Sequence, residues 1–298
     1  MLPTLLDALQ QTFIFIPLTL GIYLSYQLLQ ITDLTPDGTF VLGAAIFARL
    51  MTSGFGQTTS IILALLGGAI IGIGVCLLQR FAKINSLIAS ILAVFMLYSI
   101  NFGIMQRPNI GLLNYTTILS NLQSGNQLVF NLSLFGFALL LTLAMALLIY
   151  SRVGLTLRAF GANRQLLPKL GKRPGLYLGI GLALSNMLAA LCGVLTAQIN
   201  GYADINMGYG MALTGIGAVV IGCKLIQSLF TRTQTFNSKA DLIGCFVGTY
   251  IYFLVLNLFL MLGLNPIYLK LVLGLMLAIF LSTANYTNKQ HHTLVYND

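Results

Sequence analysis

The chain has 298 residues, 57% of them hydrophobic and only 7% charged, with a mean hydropathy of +0.90. So little charge cannot clothe a water-soluble domain, and long unbroken apolar runs select membrane-spanning helices over a closed barrel. The net charge of +9 gathers at segment ends and in one loop, so it reads as membrane topology, with lipid as the partner and nucleic acid excluded.

The first apolar run extends from about Leu9 to Ile31. No Lys or Arg precedes it and no small-residue cleavage site follows, so it is expected to be a retained helix. Asp33-Leu-Thr-Pro-Asp37-Gly38 comes next, then an apolar stretch from Thr39 to Met51 that contains Arg49. That stretch is short of the roughly 20 residues a crossing requires, so a broken or re-entrant helix is expected. If it re-enters from outside, the N-terminus is cytoplasmic; if it crosses, the N-terminus is outside. Further helices are expected at about 60–79, 85–105, 128–150, 176–198, 210–230, 240–262 and 267–284. The fold class is therefore all-α, a polytopic bundle of about 8–10 helices forming one transmembrane domain over 1–298.

The loop at about 151–174 carries Arg152, Arg158, Arg164, Lys169, Lys172 and Arg173 and no acid. Positive charge beside spanning helices stays in the cytoplasm, which places this loop inside and the 106–127 loop outside. The segment from Gly154 to Gly171 begins as a short amphipathic helix and is expected to turn at Gly161. Its Leu155, Phe160, Leu166, Leu167 and Leu170 are more apolar than a solvated connector requires, which suggests docking into a protein groove; an interfacial helix on anionic lipid is the alternative.

Ridges of small residues recur at four-residue spacing: Gly181, Ser185, Ala189, Gly193 and Ala197; Ser60, Ala64, Gly68, Gly72 and Cys76; Gly210, Thr214, Ala218 and Gly222. In lipid, small residues let helix backbones approach closely, so these are helix-packing positions, above all Gly181, Ser185, Ala189 and Gly193. Two glycine-rich segments look alike, Asp33 with Gly38 and Gly43, and Asp204 with Gly208, Gly210 and Gly215. Short, glycine-interrupted segments in corresponding halves point to a transport pathway at the membrane midplane.

Chemistry-bearing motifs are scarce. No GxxxxGK[ST] phosphate loop, HExxH or GxSxG occurs, all six acids are aspartates, and the four cysteines lack metal-ligand spacing. The chain is expected to be neither an enzyme nor a metal protein and to bind no cofactor. Polar residues within the spans remain. Ser90, Tyr98, Asn101 and Asn186 either line a translocation path or serve as interhelical hydrogen-bonding groups.

Asp33-Leu-Thr-Pro-Asp37-Gly38-Thr-Phe40, Tyr98-Ser-Ile-Asn101, Arg107-Pro108-Asn109, the loop from Gly154 through Leu157-Arg158-Ala159-Phe160-Gly161 to Asn163, Val219-Val-Ile-Gly222 and Gly263-Leu-Asn265-Pro266 share an order and spacing across nearly the whole chain. In these the chain resembles the membrane permeases of bacterial ABC importers of the branched-chain amino acid and ribose class, in the subgroup with amino-acid-type substrates. The resemblance implies a multi-pass subunit of the bacterial inner membrane, working as a homodimer or pseudo-dimer. A cytoplasmic ABC ATPase, which alone uses ATP and magnesium, and an extracytoplasmic substrate-binding protein are the implied partners. It further implies ATPase coupling through Leu157, Arg158, Ala159, Phe160, Gly161 and Asn163. The acid common in importer coupling loops is missing here, and Cys223 and Lys224 follow Gly222. The rival reading is a self-sufficient channel or secondary carrier built on Asp33, Asp37 and Asp204.

Overall fold

The computed structural model describes residues 2–230 and 238–263 and single positions between 268 and 275. The expected last helix at 267–284, together with Arg232, Lys289 and the polar tail, therefore lies largely outside the described residues.

The first helix, α1 (Leu2–Ile22), widens into a π-helical turn over Tyr23–Leu28, where the Leu29 N–H reaches back to the Leu24 carbonyl. After a non-helical link comes α2 (Pro36–Thr52), then the long helices α3 (Gln57–Phe81) and α4 (Ser86–Met105). A three-residue strand β1 (Asn109–Gly111), the short α5 (Ile118–Ser124) and α6 (Gln127–Tyr150) follow. The basic loop folds into α7 (Arg152–Ala162) and one turn, α8 (Leu166–Lys169). The chain continues as α9 (Pro174–Asn200), β2 (Tyr202–Asp204), α10 (Met211–Phe230) and α11 (Ser238–Met261). Six helical segments among the described residues are long and apolar enough to cross a membrane: Thr4–Leu28, α3, α4, α6, α9 and Ala240–Met261.

The starts and ends of α3, α4, α6 and α9 fall within a few residues of the sequence expectation. The β1–β2 ribbon was not expected. It pairs Asn109 with Asp204 and Gly111 with Tyr202, antiparallel, and ties two loops together at one end of the bundle.

Helix α9 is the spine, packed against α1, α2 and α3. Its small-residue ridge explains how. A methyl group at Gly193 would overlap the carbonyl oxygen of Phe40 on α2, and one at Gly21 of α1 would sit 2.7 Å from the Ser185 carbonyl oxygen. Gly181 faces Leu29, and Ala189 and Ser185 are buried. The ridge on α3 presses on the same helix, with Gly68 against Asn186 and Ala190 and Gly72 against Leu182. Gly222 of α10 meets Gly244 and Gly248 of α11. All three ridges thus join helices of one chain, because backbone proximity supplies the dispersion contact that lipid does not provide by exclusion. The outer faces carry exposed Ile62, Leu66 and Ile70 on α3 and Leu132, Leu140 and Leu147 on α6, as a lipid-solvated surface requires. Cys76, Cys192, Cys223 and Cys245 are buried and unpaired.

Matching levels along α9 fix the course of α1 and α2. The Cys192 thiol donates to the Ile14 carbonyl, Gly21 meets Ser185, and Leu29 meets Gly181, so α1 descends as α9 rises. Gln10 bonds Asn131 near the start of α6, and Gln11 bonds Asn257 near the end of α11. The N-terminal end of α1 therefore lies with the 106–127 loop, opposite the basic loop. From Gln30, at φ 53°, the chain turns back and rises to α2, which runs outward to Arg49 beside Gln106. The stretch after Asp33 thus runs back along α9 as a broken segment, and of the two arrangements that the sequence leaves open it fits the crossing one, with the N-terminus outside. Seven non-helical residues, from Leu29 to Thr35, make up the length that the 17-residue helix lacks.

Candidate functional site

The site grows from the link before α2. Asp33 is buried and accepts the backbone N–H and the hydroxyl of Thr35, a local Asx turn that sets Pro36 at the first helical position, where a missing N–H costs nothing. Its other oxygen accepts from Asn186 Nδ2 at 3.2 Å, and that amide also donates to the Leu182 carbonyl. Asn186 Oδ1 accepts from the Thr39 hydroxyl at 2.9 Å. Asn186 sits near the middle of α9, so this cluster lies at mid-depth, where an unmade hydrogen bond has no water to fall back on.

One turn along, Asp37 reaches across to the start of α10. Its two carboxylate oxygens accept the N–H groups of Ala212 at 2.6 Å and Gly210 at 3.2 Å. The first N–H groups of a helix have no partner within it, and the positive end of the helix dipole favours an anion there. Asp37 therefore caps α10 from another helix. A methyl at Gly208 would overlap the Asp37 carbonyl oxygen, so the 205–210 segment must carry a small residue to descend this far. The result is two helices, the 17-residue α2 running outward and the 20-residue α10 running inward, whose N-terminal ends meet inside the bundle. The pair of glycine-rich segments noticed in the sequence is brought together here.

Helix α4 closes the third side. Asn101, 1% exposed, donates Nδ2 to the Gly38 carbonyl at 3.1 Å, while its Oδ1 has no partner among the described residues. Between α2, α4 and the 205–209 segment lies a cavity of about 440 Å³. Asp37, Gly38 and Val41 line it from α2, and Val94, Phe95, Tyr98, Ser99 and Asn101 from α4. Ile205, Gly208 and Tyr209 complete the wall.

The four path candidates are placed differently. Tyr98 and Asn101 line the cavity. Asn186 belongs to the buried cluster behind it, and Ser90 is buried with its hydroxyl bonded to Leu87 of its own helix. Phe95 and Tyr209 were missed as site residues. Their signal is an aromatic three residues before Tyr98 on α4 and another beside Gly208, but only the fold brings them together. Asp204 lies at the ribbon, where Asn109 donates to it, and takes no part in the cavity.

The basic loop turns its apolar stripe inward. Leu157 and Phe160 are buried in the main core and Thr156 is also covered, while Leu155, Leu166 and Leu170 are exposed. The expectation that Leu157 and Phe160 offer apolar contact to a docking protein is corrected: residues three apart share one helix face, and that face packs on α7's own protein. The expected turn at Gly161 is corrected too. Helix α7 continues through Ala162, and Gly161 is needed because a methyl there would overlap the Leu28 carbonyl oxygen. Ala159 and Arg158 are half-buried, and Asn163 ends the helix, its Oδ1 accepting the Gln165 N–H. Arg158 feels the charge of Asp241 at the foot of α11, and Asp241 also accepts from Gln227 of α10 and, at 3.4 Å, from the Tyr23 hydroxyl. The loop is thus wired to the inner ends of α1, α10 and α11.

Residues 4–281 match the family model described as branched-chain amino acid transport system, permease component. The chain is 50% identical over 279 residues to an uncharacterized protein of Rickettsia prowazekii (strain Madrid E), covering 94% of this chain and 97% of that one. It is 32% identical over 281 residues to the tyrosine transport system permease protein of Clostridioides difficile (strain R20291), covering 94% and 91%. No solved structure matches the chain. With the apolar helices and the two helix starts that meet among them, these matches make the chain a multi-pass inner-membrane protein that belongs to the branched-chain amino acid transport permease family.

Proposed function

We propose that this permease is the path-forming subunit of an ATP-driven importer for an amino acid or a related small polar solute. The observation that carries the reading is the meeting of α2 and α10 at mid-depth beside an open cavity, the arrangement by which transporters bring helix ends to a solute. A separate cytoplasmic ATPase supplies the energy and holds the ATP and magnesium, and an extracytoplasmic binding protein delivers the solute at the end bearing the β1–β2 ribbon. Two permease copies face each other in the complex. The similarity to the Clostridioides tyrosine transport permease supports an amino-acid-type solute.

The exposed surface of α7 and α8, with Leu155, Leu166 and Leu170 flanked by Arg164 and Lys169, is the docking face for the ATPase. ATPase closure pushes on α7, and Gly161 against Leu28 and Arg158 near Asp241 pass the displacement to α1 and α11, which tilts a two-state bundle. The test is affinity purification of the tagged permease from its native host in mild detergent. An ATPase with phosphate-loop motifs should accompany it in stoichiometric amount, and substitution of Leu155 and Leu170 by Asp should release it. A permease that purifies alone and still moves solute down an ion gradient would establish the carrier reading instead.

A further inference from the structure

The cavity has a charge asymmetry that says which end of a solute it holds. Among the described residues that line it, Asp37 carries the only formal charge, and no Lys, Arg or His is present. The ring-bearing side chains of Phe95, Tyr98 and Tyr209 make up much of the remaining wall, and all three are at least 45% exposed. Asn101 adds a carbonyl oxygen without a partner among the described residues, next to the Gly38 carbonyl that its amide already holds. A wall of one carboxylate, one spare acceptor and three aromatic faces is complementary to a hydrogen-bond donor that carries positive charge on an apolar or aromatic body. Aromatic faces attract a cation through the ring quadrupole, and a carboxylate takes an ammonium through short charge-assisted bonds. The start of α10 would favour a carboxylate, but Asp37 already occupies it, and no cationic side chain lines the cavity to take a second one.

We infer that this cavity is an amine-recognition site for aromatic solutes, in which Asp37 and Asn101 receive a protonated primary amine and Phe95, Tyr98 and Tyr209 receive the ring. An α-amino acid enters amine first and leaves its carboxylate toward the open side. The inference rests on the proposed solute path, and it deepens that reading by naming the group that is read. Asp37 then has two roles, since the same oxygens that cap α10 face the amine. Solute charge at Asp37 weakens its hold on Gly210 and Ala212, which links occupancy to the junction of α2 and α10.

The chain contains no tryptophan, so indole ligands can be followed by their own fluorescence anisotropy without background from protein indoles. The full chain in nanodiscs of zwitterionic lipid, with empty nanodiscs subtracted, is titrated with tryptamine, L-tryptophan and indole-3-propionate. Tryptamine and L-tryptophan should bind, with indole-3-propionate at least about tenfold weaker, the value of one charge-assisted contact. Asp37→Asn should weaken tryptamine by about tenfold, and Tyr98→Leu, at a half-exposed position, should weaken both amines several-fold. Equal binding of indole-3-propionate and tryptamine, or no ligand bound above empty nanodiscs, overturns the inference. Should Asp37→Asn fail to fold, the wild-type ligand series and Tyr98→Leu decide it. Co-purification of an ATPase is read separately, so loss of amine selectivity sinks this inference and leaves the importer reading standing, while binding without an ATPase does the reverse.

Discussion

A pair of alanine substitutions on α9 isolates the packing that holds α2 in place. At Gly193 a methyl group would overlap the Phe40 carbonyl oxygen, with the Ala44 nitrogen a further 3.3 Å contact, and both are backbone atoms that no rotamer can move. At Gly179 on the same helix the nearest atom is Cys76 Sγ at 3.5 Å, an ordinary contact. Gly179→Ala should therefore be neutral or slightly stabilising, because alanine is the better helix former by about 1 kcal/mol in water. Gly193→Ala forces α2 and α9 apart at an overpacking cost of about 1–3 kcal/mol. At about 2–4 °C per kcal/mol for a chain of this order of size, its unfolding midpoint should fall by about 2–12 °C. The four buried cysteines supply the assay, since a fluorogenic thiol dye reacts with them only as the bundle opens during a thermal ramp. If Gly193→Ala melts with the wild type and with Gly179→Ala, α2 does not lie on α9 as described.

In a cysteine-free background, single cysteines at Asp7 and Asn114 should react with a membrane-impermeant thiol reagent from outside intact cells, and one at Asn163 only after permeabilisation; labelling of Asp7 solely after permeabilisation would restore the re-entrant reading. Asn186→Leu removes the amide that joins Asp33 to Thr39, leaving one oxygen of a buried carboxyl short of a donor at about 1–3 kcal/mol, while the Thr39 hydroxyl keeps the Thr35 carbonyl. Its melting midpoint should fall as far as that of Gly193→Ala or further, and a wild-type midpoint would show that water reaches the cluster. Phe160→Asp should destabilise the permease itself, read as loss of monodisperse protein on size exclusion, whereas Leu155→Asp should leave it folded; the opposite pattern would mean that the inward face of α7 is misassigned.

The long spans were legible because each is an unbroken apolar run bounded by polar or charged residues, as in α3 between Gln57 and Arg80. The direction of α2 was not, since a run that stops at Met51 fits a half-helix from either side, and only the level of Leu29 and Asp33 along α9 decides. The face that α7 buries was encoded in the three-residue spacing of Gly154, Leu157 and Phe160. It was obscured because Leu155, Leu166 and Leu170 are equally apolar on the other side. Asn101 and Tyr98 could be picked out as polar residues within a span, but the contact of Asp37 with Gly210 and Ala212 joins positions more than 170 residues apart, and nothing local marks it. The small-residue ridges gave the spacing of close contacts without naming the helices they join.

Reconstituted uptake tests the central claim most directly. Permease co-expressed with the ATPase that accompanies it is placed in proteoliposomes, and entry of a radiolabelled amino acid, supplied with its binding protein, is followed with and without enclosed MgATP. Uptake against the gradient should require MgATP and the ATPase, and should stop when Leu155 and Leu170 are both changed to Asp. Accumulation by the permease alone, driven by a proton or sodium gradient and indifferent to ATP, would contradict the account.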